Sequence, residues 1–192
     1  MDPADRDLFL QFLWTRDETD SIDTPGKLKD WLTGLGMLDG DEAVTEDDVR
    51  LARHSRAAAR AMCVANSGYP LDPRTHSAIE ELNARAPLKV TAGPAGGLQV
   101  EPGGSGVPRA LAQFLAIAYR ATVEGEFGRF KACQGCGWAY YDESKNGSKK
   151  WCAMGLCGPG EDEGVSRTEE SGRVGTARAR SPGAETREQG NK

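Results

Sequence analysis

Four of the five cysteines fall in one short stretch, CQGCGWAYYDESKNGSKKWCAMGLCG, from Cys133 to Gly158. They are ordered Cys133-x2-Cys136, fifteen intervening residues, then Cys152-x4-Cys157. Two pairs of short internal spacing, joined by a loop of this length, can converge on one tetrahedral Zn²⁺. Soft, anionic sulfur suits that ion, and four sulfurs leave no coordination position for a substrate. Gly135 and Gly137 let the first knuckle turn tightly, and Trp138, Tyr140, Tyr141 and Trp151 are expected to supply a miniature apolar core. Two other arrangements fit the same cysteines, namely two disulfides or four unrelated buried thiols. Disulfides need an oxidising compartment. The acidic start MDPADRD lacks the basic opening of a signal peptide, so reduced thiols and zinc are the preferred reading.

The run C-x2-C-G-W-x-Y-x-D-x-S-K-N-x-S-K-K-W-C-x-M-x3-C-G resembles the CGNR-type zinc finger, which usually ends bacterial stress-induced transcriptional regulators bearing an N-terminal ABATE domain. The match runs through Cys133, Cys136, Trp138, Asp142, Ser144, Asn146, Ser148, Trp151, Cys152, Met154, Cys157 and Gly158. Lys145, Lys149 and Lys150 stand where the family more often has arginine. The resemblance implies one Zn²⁺ held by Cys133, Cys136, Cys152 and Cys157, and DNA binding. In that reading Lys145, Lys149 and Lys150 neutralise phosphates, while Ser144, Asn146 and Ser148 donate hydrogen bonds to the backbone or to base edges.

The chain departs from the family directly after the last cysteine. Cys-Gly-Asn-Arg and further basic residues are replaced by Cys157-Gly158-Pro159-Gly160-Glu161-Asp162-Glu163-Gly164. From Pro159 onward no apolar periodicity survives, and six basic residues face seven acidic ones. Two origins stay open. If Pro159 to Gly164 are encoded as CCG GGC GAA GAC GAG GGC, the frame one base later reads Arg-Ala-Lys-Thr-Arg, the basic continuation of the family, so residues 159–192 would be a frameshift product. Otherwise they are a genuine acidic, disordered tail.

Net charge is −5, which does not by itself announce a nucleic-acid binder, so the distribution matters more. Between Arg129 and Lys150, Arg129, Lys131, Lys145, Lys149 and Lys150 stand against only Asp142 and Glu143. No apolar run approaches the roughly 18 residues of a membrane span. The expectation is a cytoplasmic protein.

Ahead of the finger the pattern is mostly helical. Residues 7–14, DLFLQFLW, are nearly all apolar and predict a short buried helix or strand. Asp23-Thr24-Pro25 opens a helix through Leu28, Trp31 and Leu32 that Gly34 and Gly36 stop, with Trp31 on the apolar stripe. Thr45-Glu46-Asp47-Asp48 caps a longer helix to about Asn66, with Val49, Ala52, Ala59, Met62 and Cys63 packed. Its arginines, Arg50, Arg53, Arg56 and Arg60, read as a solvated face. Cys63 reads as an inert core thiol. Asp72-Pro73 starts a helix through Leu82, and Leu88–Val90 with Leu98–Val100 form a hairpin about the turn Gly93 to Gly97. Pro108 to Thr122 is the last long helix, and Phe127 and Phe130 pack the connection to the finger. His54 and His76 sit in no catalytic pattern.

This order is similar to the ABATE-plus-finger arrangement, and Leu82-Asn83-Ala84-Arg85-Ala86-Pro87-Leu88 is similar to a segment common in that domain. Trp14-Thr15 stands where the family often has Asn-Thr. The expected fold is therefore α+β: a mainly helical domain with a hairpin over 7–128, and a treble-clef-like or knuckle zinc module over 129–158. The first functional expectation is a DNA-binding transcriptional regulator whose N-terminal domain senses a ligand or forms a homodimer. The alternative is a zinc-stapled protein-interaction module. An enzyme is not expected, because four thiolates close the metal's coordination shell and no nucleophile constellation appears.

Overall fold

The computed structural model describes residues 1–16, 19–152 and 157–158. The expected tail over 159–192 and the matched position Met154 lie outside the described residues, as does any helix after Cys157 that would make the finger a treble clef. Among the described residues, five helices and two small antiparallel hairpins make up an α+β fold. The helices are α1 (Pro3–Trp14), α2 (Pro25–Gly34), α3 (Glu46–Asn66), α4 (Arg74–Arg85) and α5 (Gly106–Val123). Strands β1 (Leu88–Ala92) and β2 (Leu98–Pro102) form the first hairpin, in the register Val90 opposite Val100. A single 3-10 turn, Phe127–Arg129, leads into β3 (Phe130–Ala132), which pairs with β4 (Ala139–Tyr141).

The helix starts follow local chemistry. Asp2 accepts from Ala4 N at 2.8 Å ahead of Pro3, so the segment 7–14 is a helix rather than a strand. Thr45 and Asp48 form a reciprocal capping box at the head of α3, which satisfies two orphan amides. Helix α5 carries apolar residues almost all round and runs through the centre of the core. Phe114 on α5 stacks on Phe12 of α1 with ring centres 4.2 Å apart, and Trp31 extends the stack from α2. Trp31 thus belongs to the core stripe, as expected. Cys63 is fully buried, and burial pushes its thiol up to about 12, as an inert core thiol requires.

The arginines of α3 correct the sequence reading. Arg56 is 3% exposed and lies inside the fold. Its guanidinium makes a two-pronged contact with Asp20 at 2.7 and 2.8 Å and donates to Thr15 Oγ1 at 3.0 Å. Arg60 is half-buried and donates to Leu13 O at 3.0 Å and to Gly137 O at 3.1 Å. Only Arg50 and Arg53 resemble the solvated face, and Arg50 still pairs with Asp47 and Glu81. A helical wheel records where a side chain starts and not what folds over it; the turn carrying Thr15 and Asp20 covers Arg56.

The finger shares its interior with the helices. Phe130 is fully buried and meets Phe9 of α1 edge-on at 4.8 Å, and Tyr141 meets Phe130 at 5.1 Å. Asn66 at the end of α3 donates to the carbonyls of Phe127 and Phe130, both at 2.9 Å. Met1 to Gly160 form one compact unit.

The Arg56–Asp20 pair sets an expectation for stability. Arg56→Ala leaves a largely buried carboxylate with only Arg53, at 3.8 Å, as counter-charge among the described residues and should cost about 3 kcal/mol in urea denaturation. Arg56 holds the Asp20 carboxyl below its ordinary value. That contribution is complete above the unfolded carboxylate pKa of about 3.9 and is lost as pH falls through the lower folded value. The wild-type chain should therefore lose stability more steeply than Arg56→Ala on acidification below about pH 4.

Candidate metal centre

Strand β3 delivers Cys133 into a tight knuckle between β3 and β4. Cys133 N donates to Trp138 O and Gly137 N donates back to Cys133 O, both at 2.8 Å. Gly137 takes a φ of +73°, a left-handed conformation in which a side chain is strained. Gly135 is needed for a different reason. A Cβ there would stand 3.2 Å from Cys157 O and 3.3 Å from Cys157 Cβ, so any side chain at this position would push the second cysteine pair back by a few tenths of an ångström.

The four Sγ atoms of Cys133, Cys136, Cys152 and Cys157 lie within 4.8 Å of one another. Cys136 to Cys152 and Cys152 to Cys157 are each 3.8 Å apart. A tetrahedron with ~2.3 Å metal–sulfur bonds has edges of ~3.8 Å, whereas a disulfide bond is ~2.05 Å long. Neither the two-disulfide arrangement nor four scattered thiols survives this geometry, and all five cysteines are free. The donor set fits a soft, tetrahedral divalent cation.

The electrostatics support the same fit. Burial would raise the Cys133 thiol, but backbone amides of Cys136, Cys152 and Gly135 outweigh it and pull it down to about 6. Contact with the sulfurs of Cys136 and Cys152 pushes Cys157 up to about 12, and burial together with neighbouring sulfurs raises Cys152. Packed sulfurs resist becoming anions together, so a full four-thiolate set here requires a cation at its centre.

The loop between the cysteine pairs is organised by a carboxylate. Asp142 is wholly buried and accepts from Lys131 Nζ at 2.8 Å, Ser144 Oγ at 2.6 Å, Ser144 N at 3.0 Å and Lys149 N at 2.8 Å. Burial alone would raise this carboxyl; the Lys131 ammonium and the Ser144 and Lys149 donors override it and hold it well below the usual carboxylate range. Lys131 also donates to the carbonyls of Gly147 and Lys149, and Arg129 donates to those of Asp142 and Ser144. Gln134 N donates to Lys150 O at 3.0 Å and draws the end of the loop against the knuckle.

Lys145, Asn146, Ser148 and Lys150 are exposed on this loop. Lys149 is half-buried, its ammonium 5.8 Å over the Tyr140 ring. Ser144 faces inward to Asp142, so its hydroxyl is already used. The miniature core is corrected in part. Tyr140 is buried in the finger and donates to Lys149 O at 2.7 Å. Trp138, however, stacks on Trp14 of α1 at 5.6 Å, and Tyr141 joins the helical core while donating to Glu126 at 2.6 Å. Trp14 also donates from Nε1 to Ala139 O at 2.9 Å. The structural roles of Lys131, Arg129 and Trp14 emerge only from the fold; a lysine inside the apolar run FKAC, two residues before a cysteine, is the one local signal of them.

Fold and site together define a helical α+β protein with a four-cysteine, metal-binding finger at the end of its core. The family model ABATE, described as "Putative stress-induced transcription regulator", matches residues 6–125, and the chain belongs to that family. The CGNR zinc finger model matches residues 129–162. No curated protein matches the chain. Neither family description names an enzyme. Among the described residues no helix is long and apolar enough to cross a membrane.

Two substitutions test this geometry. Gly135→Ala should displace Cys157 by a few tenths of an ångström and lower metal affinity about tenfold, measured by competition with a chromogenic chelator, with the helical circular dichroism unchanged. Asp142→Asn removes the counter-charge of buried Lys131 and should lower stability by about 3 kcal/mol, read from the urea midpoint of the metal-loaded chain.

Proposed function

We propose that the chain is a DNA-binding transcriptional regulator whose finger is held by one structural Zn²⁺ on Cys133, Cys136, Cys152 and Cys157. The metal closes the finger and contributes its binding free energy to folding. Residues 7–128 then form the sensing or dimerising part and 129–158 the DNA-contacting part.

One observation carries it: both acids of the finger loop are answered from within the protein. Asp142 is buried against Lys131, and Arg6 pairs with Glu143 at 2.8 Å. Lys145, Lys149 and Lys150 thus give the loop an uncompensated positive charge among the described residues. Asn146 and Ser148 stand exposed beside them, available to phosphate oxygens or base edges. The loop's backbone is fixed by Asp142, so the Cα positions from which these side chains extend are set in advance.

The residues after Gly158 weaken the contact. Glu161, Asp162 and Glu163 stand in sequence where the family resemblance calls for basic residues, and they repel phosphates. The alternative is a zinc-stapled module that offers the same lysines to an acidic protein surface.

Titration of the zinc-loaded chain with fluorescent duplex DNA at several salt concentrations separates the two. Affinity should fall steeply with salt, and Lys150→Gln should reduce the logarithmic slope by about one unit. A binding constant indifferent to salt overturns direct phosphate contact. Affinity that follows a co-purifying acidic protein instead favours the interaction module.

A further inference from the structure

The outer side of α3 carries Arg53, His54, Ala57, Arg60 and Ala61 at three- and four-residue spacing, so they share one face. Two adjoining hollows open over it. One, of ≈ 530 Å³, lies between α3 and α4, floored by Ala57, Ala58, Ala61 and Ala78. The other, walled by Arg53, Arg56 and Arg60, shares His54 and Ala57 with the first. A volume of this order is ordinary for small-molecule sites, ~300–1,000 Å³. The four alanines make an apolar floor that no larger side chain fills.

The polar groups around it are unevenly matched. Asp20 is taken by Arg56 and is also the carboxylate nearest Arg53, at 3.8 Å. Arg60 meets only the carbonyls of Leu13 and Gly137 among the described residues, and burial lowers its pKa. Thr75 lines the alanine hollow, is 5% exposed, and its buried hydroxyl has no partner. Cations short of anions beside a bare apolar floor suit a ligand with one anionic head and an apolar body.

We propose that this groove binds a small organic anion, its charged head at Arg53 and Arg60 and its apolar body on the alanine floor. Duplex DNA is the poorer occupant. Charge does not decide this, because Asp72, Glu81 and Asp23 are already paired with Arg74, Arg50 and Lys27; size does, because the ≈ 530 Å³ hollow between α3 and α4 receives a small molecule and not a duplex. The site is also wired to the finger. Arg60 holds the carbonyl of Gly137, the residue after Cys136, so an anion that draws Arg60 away loosens the metal knuckle on the side where Trp14 stacks on Trp138.

The test uses the zinc-loaded full chain without DNA, so it fails or succeeds independently of the DNA-binding reading. Isothermal titration with benzoate should give saturable binding. Neutral benzyl alcohol lacks the charge and inorganic phosphate lacks the apolar body, and each should bind about tenfold more weakly or not at all. Arg53→Gln and Ala57→Leu, both at exposed positions, should each weaken benzoate about fivefold or more with unchanged circular dichroism. Benzoate should also shift tryptophan emission in the wild type and not in Arg60→Gln. No saturable benzoate binding in the millimolar range, equal binding of phosphate, or benzoate affinity untouched by Arg53→Gln and Ala57→Leu overturns the proposal.

Discussion

The burial of Phe130 is the contact on which the finger depends. It sits with no exposure between Phe9 and Phe127, at the first position of the strand that leads to Cys133. Removing such a ring from water contributes ~2–3 kcal/mol, and here it also fixes where the metal site begins. Two residues later the chain has no freedom left: Ser67 exchanges hydrogen bonds with Ala132 N and O at 2.9 and 3.0 Å. A small module that lacks an adequate core of its own takes one from the helices.

A second constraint lies inside the loop. Lys131 and Asp142 form a buried ion pair, and such a pair is poor evidence for stability in itself. Its value here is specification. Asp142 accepts four hydrogen bonds and Lys131 reaches three oxygens, so the segment from Asp142 to Lys149 has one conformation in which every partner is met. The outward-facing lysines extend from backbone positions set by that network.

The four-cysteine centre was legible in the sequence because metal geometry translates directly into spacing and residue type. The starts of α2 and α3 were legible for a similar reason: Thr24 and Thr45 act on amides only a few residues away. Arg56 and Trp14 were not, because their partners lie across the fold. Asp20 is remote in sequence from Arg56, and Ala139 is remote from Trp14. An arginine on a helix face and a tryptophan at a helix end carry no local mark of such partners. The alanines of α3 and α4 carry no local mark either, and only the arrangement of the two helices turns them into the floor of a groove.

The route from Phe9 to Phe130 has a consequence for biosynthesis. The N-terminal helix meets its stacking partner Phe114 only after most of the chain has been made, and meets Phe130 later still. A nascent chain therefore carries an unfinished apolar surface on α1 until the last helix and the first finger strand have emerged. Contacts so distant in sequence slow folding and leave α1 open to chaperones or to mispairing in the interval. Cys133 emerges just behind Phe130, so the strand that completes the helical core also brings the first sulfur into position: closing the core and assembling the metal-binding knuckle belong to the same moment in the life of the chain.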